Sequence, residues 1–141
     1  MSSSSSSGQV DPKSATMLYK ILTPSDYQSL PEGEEEEWLG ASIDLTDKFI
    51  HLSTSSQLPG TLQRFFSSAS GVGDSLWLCG ARRQQLEEDM QGKRKLQWDP
   101  AAGSVFAHVY GAIYPAKEFV FKEEIRRDAS TGEFVLPELQ S

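Results

Sequence analysis

The sequence predicts an α+β fold in which two or three short helices pack on mostly antiparallel strands. Three observations lead there. Runs of strand length outnumber the helical patterns, and the helical patterns are short. The two do not alternate in the regular way that a doubly wound parallel sheet requires. The 141 residues suit a single domain around one core, and no internal repeat divides them.

Residues 1–16 read as a tail. Ser2 to Ser7 is an unbroken serine run, followed by Gly8, Pro12 and Ser14. Such a segment buries too little apolar area to offset the entropy of ordering it, so disorder is expected, with phosphorylation as its functional alternative. The domain is expected over 17–137, with a short C-terminal tail at 138–141. Leu18-Tyr19-Lys20-Ile21-Leu22 reads as the first strand. Thr23 then takes the N-cap of a short helix, with Pro24 at its first position, Asp26 in the capping-box position and Pro31 beyond its end. Glu32 to Glu37 reads as a solvated loop, because consecutive glutamates point in different directions and do not converge on a metal. Asp44 and Asp47 flank Leu45-Thr46 and are expected to cap a turn, with catalysis as the alternative.

Phe49 to Ser53 reads as a strand. Thr54-Ser55-Ser56-Gln57 matches a capping box, and Leu58, Leu62, Phe65 and Phe66 follow on one predicted helical face. Ser67 to Asp74 is a Ser/Gly-rich loop. Leu76 to Cys79 is a strand, Arg82 to Met90 a short polar helix, Leu96 to Trp98 a brief strand, and Phe106 to Tyr110 another after a Pro/Ala/Gly loop. Glu118 to Ile125 is a longer strand closed by a turn at 128–132. Phe134 to Leu136 is the last strand.

Composition narrows the function. The net charge of −7 argues against binding extended nucleic acid, which needs clustered Lys and Arg. Cys79 is the single cysteine, so no internal disulfide forms and a reducing compartment is favoured. No asparagine is present to accept an N-linked glycan. No apolar run approaches the roughly 18 residues of a membrane helix, and no signal-peptide or lipidation pattern is seen. A cytoplasmic protein with no membrane partner is the expectation.

Two histidines carry the clearest chemical signal. His51 lies in Phe49-Ile50-His51-Leu52-Ser53-Thr54 and His108 in Phe106-Ala107-His108-Val109-Tyr110-Gly111. Each follows a phenylalanine by two residues and precedes a hydroxyl residue by two. With a strand period of two, His51 shares a face with Ser53, and His108 with Tyr110, while Ile50, Leu52, Ala107 and Val109 point the other way. Two histidines on one cleft could bind an anionic group or act as acid and base. The structural alternative is a pair of satisfied core or edge residues. No third ligand stands at a metal-binding spacing, so no metal is expected.

Trp98-Asp99-Pro100 offers a stacking plate and a polar handle, or equally a buried Trp beside a turn-capping Asp. Lys93-Arg94-Lys95 could supply charge to a phosphate-bearing ligand, or form a solvated loop. Gly71-Val72-Gly73 precedes a strand and lacks the third glycine of a dinucleotide fingerprint. Cys79 reads as a buried structural thiol.

These residues resemble the small bacterial and fungal proteins grouped as Domain of Unknown Function 952. The matching stretches are Tyr19-Lys20-Ile21, the run from Asp44 through Thr54, Gln57, Trp98-Asp99-Pro100 and His108-Val109-Tyr110-Gly111. The resemblance covers the chain from about Tyr19 to Pro137. The family usually has Gly where Lys48 stands and commonly Glu where Asp99 stands. Its fold looks like that of the ADP-ribosyltransferase superfamily, which implies two small sheets with NAD held in the cleft between them. The resemblance implies that His51 anchors the NAD ribose, that Tyr110 or Trp98 stacks on nicotinamide, and that Asp99 is the local acid.

The expected site therefore has His51, His108 and Asp99 as catalytic residues, with Ser53, Thr54, Trp98, Tyr110 and Gly111 binding the ligand. The leading expectation is an NAD- or nucleotide-binding ADP-ribosyltransferase-like enzyme, with NAD as substrate. The alternatives are a phosphoesterase acting on a cyclic nucleotide phosphate, with His51 and His108 as base and acid, and a non-catalytic ligand-binding domain. In each case the partner is a small nucleotide or phosphate-bearing molecule.

Overall fold

The computed structural model describes residues 11–67 and 71–141. Its strands are β1 (Met17–Leu22), β2 (Ile50–His51), β3 (Ser75–Arg82), β4 (Lys95–Ala101), β5 (Ser104–Tyr110) and β6 (Phe119–Arg126). They form two three-stranded antiparallel sheets, ordered β1-β3-β6 and β2-β5-β4. The helices are short: α1 (Pro24–Gln28), α2 (Ser42–Asp47), α3 (Leu58–Phe65), α4 (Arg83–Leu86) and α5 (Pro115–Glu118). The α+β class stands, with more helical turns than the two or three expected.

The first sheet is covered on both faces, which is why every residue of β1 is buried. Leu18 and Leu22 join Ile50, Leu52, Ala107 and Val109 in a core between the sheets. Met17, Tyr19 and Ile21 face the other way, against Leu58 and Leu62 of α3. Only the inner face of the second sheet enters the core. Its outer face carries His51, His108, Tyr110, Gln97 and Asp99 together with Phe106 and the overlying Phe49, the polar and apolar alternation of a half-buried antiparallel sheet.

The local signals of the sequence are visible in the helix starts. The Thr23 hydroxyl accepts from Asp26 N at 3.1 Å. Thr54 and Gln57 make the reciprocal capping box, with Thr54 N donating to Gln57 Oε1 at 3.0 Å and Gln57 N to Thr54 Oγ1 at 3.3 Å. Phe65 is a correction: it is exposed, while Leu58, Leu62 and Phe66 of the expected face pack on the core. The segment expected as a helix over 82–90 forms only the single turn of α4. The expected last strand reduces to one bridge, Arg127 with Phe134.

The strand at Leu96 to Trp98 is longer than expected, running through Pro100 to Ala101. β4 is an edge strand, where a proline costs no ladder bond. Ala101 pairs with Ser104 across a two-residue turn. Ala102 and Gly103 both have positive φ, 50° and 78°, as a tight hairpin turn requires.

Residues 1–10 of the expected tail, and 68–70 of the Ser/Gly-rich loop, lie outside the described residues. Residues 11–16 include a single 3-10 turn at Pro12–Ser14, and Ala15 is buried. The backbone of Thr16 donates to Ser141 O at 3.1 Å, and the Tyr19 hydroxyl donates to Gln140 O at 2.7 Å. Gln140 and Ser141 are thus held against Thr16 and Tyr19 at the start of β1. Among the described residues, no helix is long and apolar enough to cross a membrane.

Candidate functional site

The period-two reading of the histidine strands holds locally. Ile50 pairs with Val109 and His51 with His108. The apolar partners enter the core, and the two histidines stand opposite each other on the outer face. Their ring centroids are 5.1 Å apart and their planes cross at 70°. Phe49 lies over them, with its ring 4.1 Å from that of His108 and 4.7 Å from that of His51. Tyr110 completes the aromatic group, 5.1 Å from Phe49.

Each histidine is held by an aspartate. Asp44, fully buried on α2, places Oδ1 2.6 Å from His51 Nδ1. It also accepts from the backbone N–H of His51 at 3.0 Å and of Ala41 at 2.8 Å. Lys20 comes from the first sheet and puts its buried ammonium 2.9 Å and 2.7 Å from the two Asp44 oxygens. Burial pushes the Asp44 carboxyl up, but the His51 hydrogen bond and the Lys20 charge outweigh it and hold it down at about 2. Burial pulls the Lys20 ammonium below its ordinary value, against the attraction of Asp44.

The second pair repeats the device from β4. Asp99 Oδ2 lies 2.7 Å from His108 Nδ1 and accepts the Tyr110 hydroxyl at 2.7 Å. Asp99 Oδ1 accepts from Gln97 Nε2 at 2.6 Å. The Gln97 bond, with those from Tyr110 and His108, overcomes a burial cost and lowers the Asp99 carboxyl to about 2. Burial lowers the His108 imidazole below its ordinary value, against the pull of Asp99.

An ionised carboxylate can only accept. Nδ1 of each ring therefore carries the proton it shares with its aspartate, and Nε2 is left as the working atom. At His51, Nε2 lies 3.0 Å from Oδ2 of Asp47, whose side chain is 42% exposed.

Of the residues expected at the site, the structure brings together His51, His108, Asp99 and Tyr110. The others stand elsewhere. Trp98 lies on the opposite face of β4 from Gln97 and Asp99 and packs against the inter-sheet core, so it does not join the histidine face. The Ser53 hydroxyl bonds Thr61 of α3 at 2.9 Å, while its backbone pairs with Tyr19. Thr54 is buried in its capping box. Gly111 is a close-packing position with φ 130°, where a Cβ would lie 2.5 Å from Lys93 O. Arg94 is buried against Glu118 at 2.7 Å. Burial raises the Cys79 thiol to about 12, consistent with the structural thiol expected there.

Sequence reading missed the parts that converge on the histidines from other elements. Asp44 does cap, accepting from Ala41 N at the start of α2, but it also holds His51, and Asp47 at the end of the same helix faces the His51 ring instead of capping a turn. Phe49, Gln97 and Lys20 also went unremarked as site residues. The spacing of Asp44 and Asp47 ahead of His51 was the available signal. Two clefts indent the surface away from the site. One of about 380 Å³ is lined by residues including Leu62, Phe66, Arg127 and Phe134. Another of about 270 Å³ is lined by residues including Met90, Lys93, Arg94 and Tyr114. Neither touches the histidines, and it is side-chain chemistry that marks the candidate site. No group of three or more metal-ligating side chains that could hold an ion is found among the described residues.

Fold and site together define a two-sheet α+β domain with two carboxylate-anchored histidines on the outer face of its second sheet. The chain belongs to the family described as Protein of unknown function (DUF952), whose model matches residues 21–119. The crystal structure of protein CC0527 from Caulobacter crescentus is similar, at 26% identity and a TM-score of 0.67, covering 85% of this chain and 94% of that chain. The solution NMR structure of CC0527 is also 26% identical, with a TM-score of 0.62, covering 83% of this chain and 90% of that chain. Among curated proteins, none matches the chain.

Proposed function

We propose that the protein is a small nucleotide-processing enzyme in which His51 and His108 form an acid–base pair at a phosphate-bearing ligand. One observation carries this reading: two facing histidines, 5.1 Å apart between ring centroids, each have Nδ1 held by a low-pKa aspartate. Such anchoring fixes ring orientation and tautomer and stabilises the charged ring that forms when Nε2 takes a proton. His108, kept toward the neutral form by burial, takes a proton at Nε2 from the attacking hydroxyl or water. His51 delivers one from Nε2 to the departing oxygen. Asp44 and Asp99 orient the rings and do not themselves take up the proton.

A second reading is favoured by the path of residues 50–53. His51 pairs with the second sheet, while two residues later Ser53 pairs with Tyr19 of the first. The chain thus crosses between the sheets beside the site, although the space between the sheets, where the family resemblance implies that NAD is held, is filled by the apolar core, so the ligand would have to lie on the outer histidine face. NAD would supply the ribosyl carbon and its nicotinamide leaving group. His51 would hold the ribose and Phe49 or Tyr110 would pack on the nicotinamide ring. Asp99 fits the role of local acid less well, because its oxygens already serve His108, Tyr110 and Gln97.

The test is a thermal-shift screen of NAD, ADP-ribose, nucleoside monophosphates and cyclic nucleotide phosphates, since a bound ligand raises apparent stability by mass action. Hits are then assayed for turnover. Opening of a cyclic phosphate, lost in both His51→Ala and His108→Ala, supports the acid–base reading. Nicotinamide release, lost in His51→Ala, supports the NAD reading. A shift without turnover leaves a ligand-binding domain. No shift with any ligand rejects the proposal.

A further inference from the structure

We propose that Nε2 of His51 is the anion-binding atom of this site and that the carboxylate of Asp47 is its built-in occupant, displaced when a phosphate oxygen of the ligand takes that position. The inference rests on the acid–base reading above and adds the group the ligand must offer to His51.

The geometry places an anionic oxygen on the working nitrogen: Asp47 Oδ2 lies 3.0 Å from His51 Nε2. Nothing else about Asp47 favours that position. It is the last residue of α2, where the negative end of the helix dipole disfavours a carboxylate. Its side chain is 42% exposed, and His51 is its one ion-pair partner among the described residues. The next residue, Lys48, adopts φ 68°, a left-handed conformation that costs a side-chain-bearing residue free energy. A carboxylate set against a helix dipole, beside a strained residue and held by one contact, can leave at little cost.

The neighbouring charges are compatible with a replacement anion. From α2, Asp44 faces His51 but is paired with Lys20 of β1. From β5, His108 and Tyr110 face the site. From β4, Asp99 reaches it only through His108, Tyr110 and Gln97. Exposed cations also stand near it in the fold: Lys95, the register partner of Tyr110, Lys48 after Asp47, and Arg64, whose guanidinium lies over the ring of Phe106, the register partner of Asp99. Asp47 is the exposed carboxylate on His51, so its departure removes both a competitor and a like charge from the path of an anionic ligand.

The experiment measures binding of pyrophosphate and of adenosine monophosphate to the full chain by calorimetry, comparing wild type, Asp47→Ala, Asp47→Asn and His51→Ala. Asp47 is exposed, so both of its variants should keep the wild-type melting curve. The expected result is about fivefold tighter binding by Asp47→Ala, the scale of one exposed ion pair, a smaller gain by Asp47→Asn, and loss of binding in His51→Ala. Binding that Asp47→Ala weakens or leaves unchanged overturns the occupant role and leaves the histidine pair standing. Absence of binding in wild type and both Asp47 variants overturns the acid–base reading and this inference together.

Discussion

His51 and His108 are direct register partners across β2 and β5, and each draws its aspartate from outside its own strand. Asp44 comes from α2 and Asp99 from the neighbouring β4. The pair is therefore fixed by four elements of the fold. A histidine placed only by its own strand could turn about χ1 and χ2, whereas these two are held at Nδ1 as well. That is what an acid–base pair needs from its scaffold.

The Lys20–Asp44 pair is buried, and its two halves should not be equivalent. Lys20→Met leaves Asp44 with donors from Ala41, the His51 backbone and the His51 ring. Asp44→Asn leaves a buried ammonium without its counter-charge. Asp44→Asn should cost about 3 kcal/mol, the scale of a broken buried pair, and Lys20→Met less. Urea denaturation gives both values. Equal costs would mean that the extra donors to Asp44 do little.

Stability should depend on pH in two windows. Asp44 and Asp99 are depressed from 3.8 to about 2, so their contribution is fully present above about 4 and is lost as pH falls toward about 2. His108 is depressed from 6.5. Below that value the unfolded chain binds the proton more readily than the folded one, so stability present above 6.5 declines as pH drops. His108→Gln should flatten the curve just below 6.5 and leave the acid limb. Melting temperatures across pH check both windows.

Lys48→Gly should stabilise the protein by about 1 kcal/mol, because glycine meets φ 68° without a Cβ clash. The family resemblance has glycine at this position, and the left-handed conformation explains why. Thermal unfolding of the variant measures the gain.

Gly111→Ala should do the reverse. A Cβ there would stand 2.5 Å from Lys93 O and 2.9 Å from Arg94 Cα, with φ in the range that disfavours a side chain. A loss of roughly 2 kcal/mol or more is expected. A small loss would show that the 93–94 backbone can yield.

Much of the site was legible because its strands are short, apolar and of period two. Counting puts His108 and Tyr110 on one face of their strand, but it also puts Ser53 beside His51, whereas the chain leaves the second sheet after His51 and Ser53 pairs with Tyr19. Trp98 illustrates the limit. With Asp99 it reads as one motif in the sequence, but adjacent residues of a strand face opposite sides, so Trp98 lies on the core and Asp99 on the site. Asp44 was hidden for another reason. The six-residue α2 has no side-chain N-cap and leaves Ile43 and Leu45 exposed, so no periodicity announced a helix. Lys20 reads as a strand lysine, and its burial depends on a partner 24 positions away. Side-chain pairing between elements is a property of the folded chain that local pattern does not encode.

The most direct test of the central claim is an NMR titration that follows the imidazole ring signals of the two histidines, using the ligand that gives the largest thermal shift. If His51 and His108 serve one site, both ring signals move together and saturate at one affinity, and His51→Ala abolishes the response of His108. If a ligand binds while both rings stay still and signals around Phe66 and Phe134 or around Lys93 and Tyr114 move instead, the site lies in one of the clefts and the account given for the histidine pair is wrong.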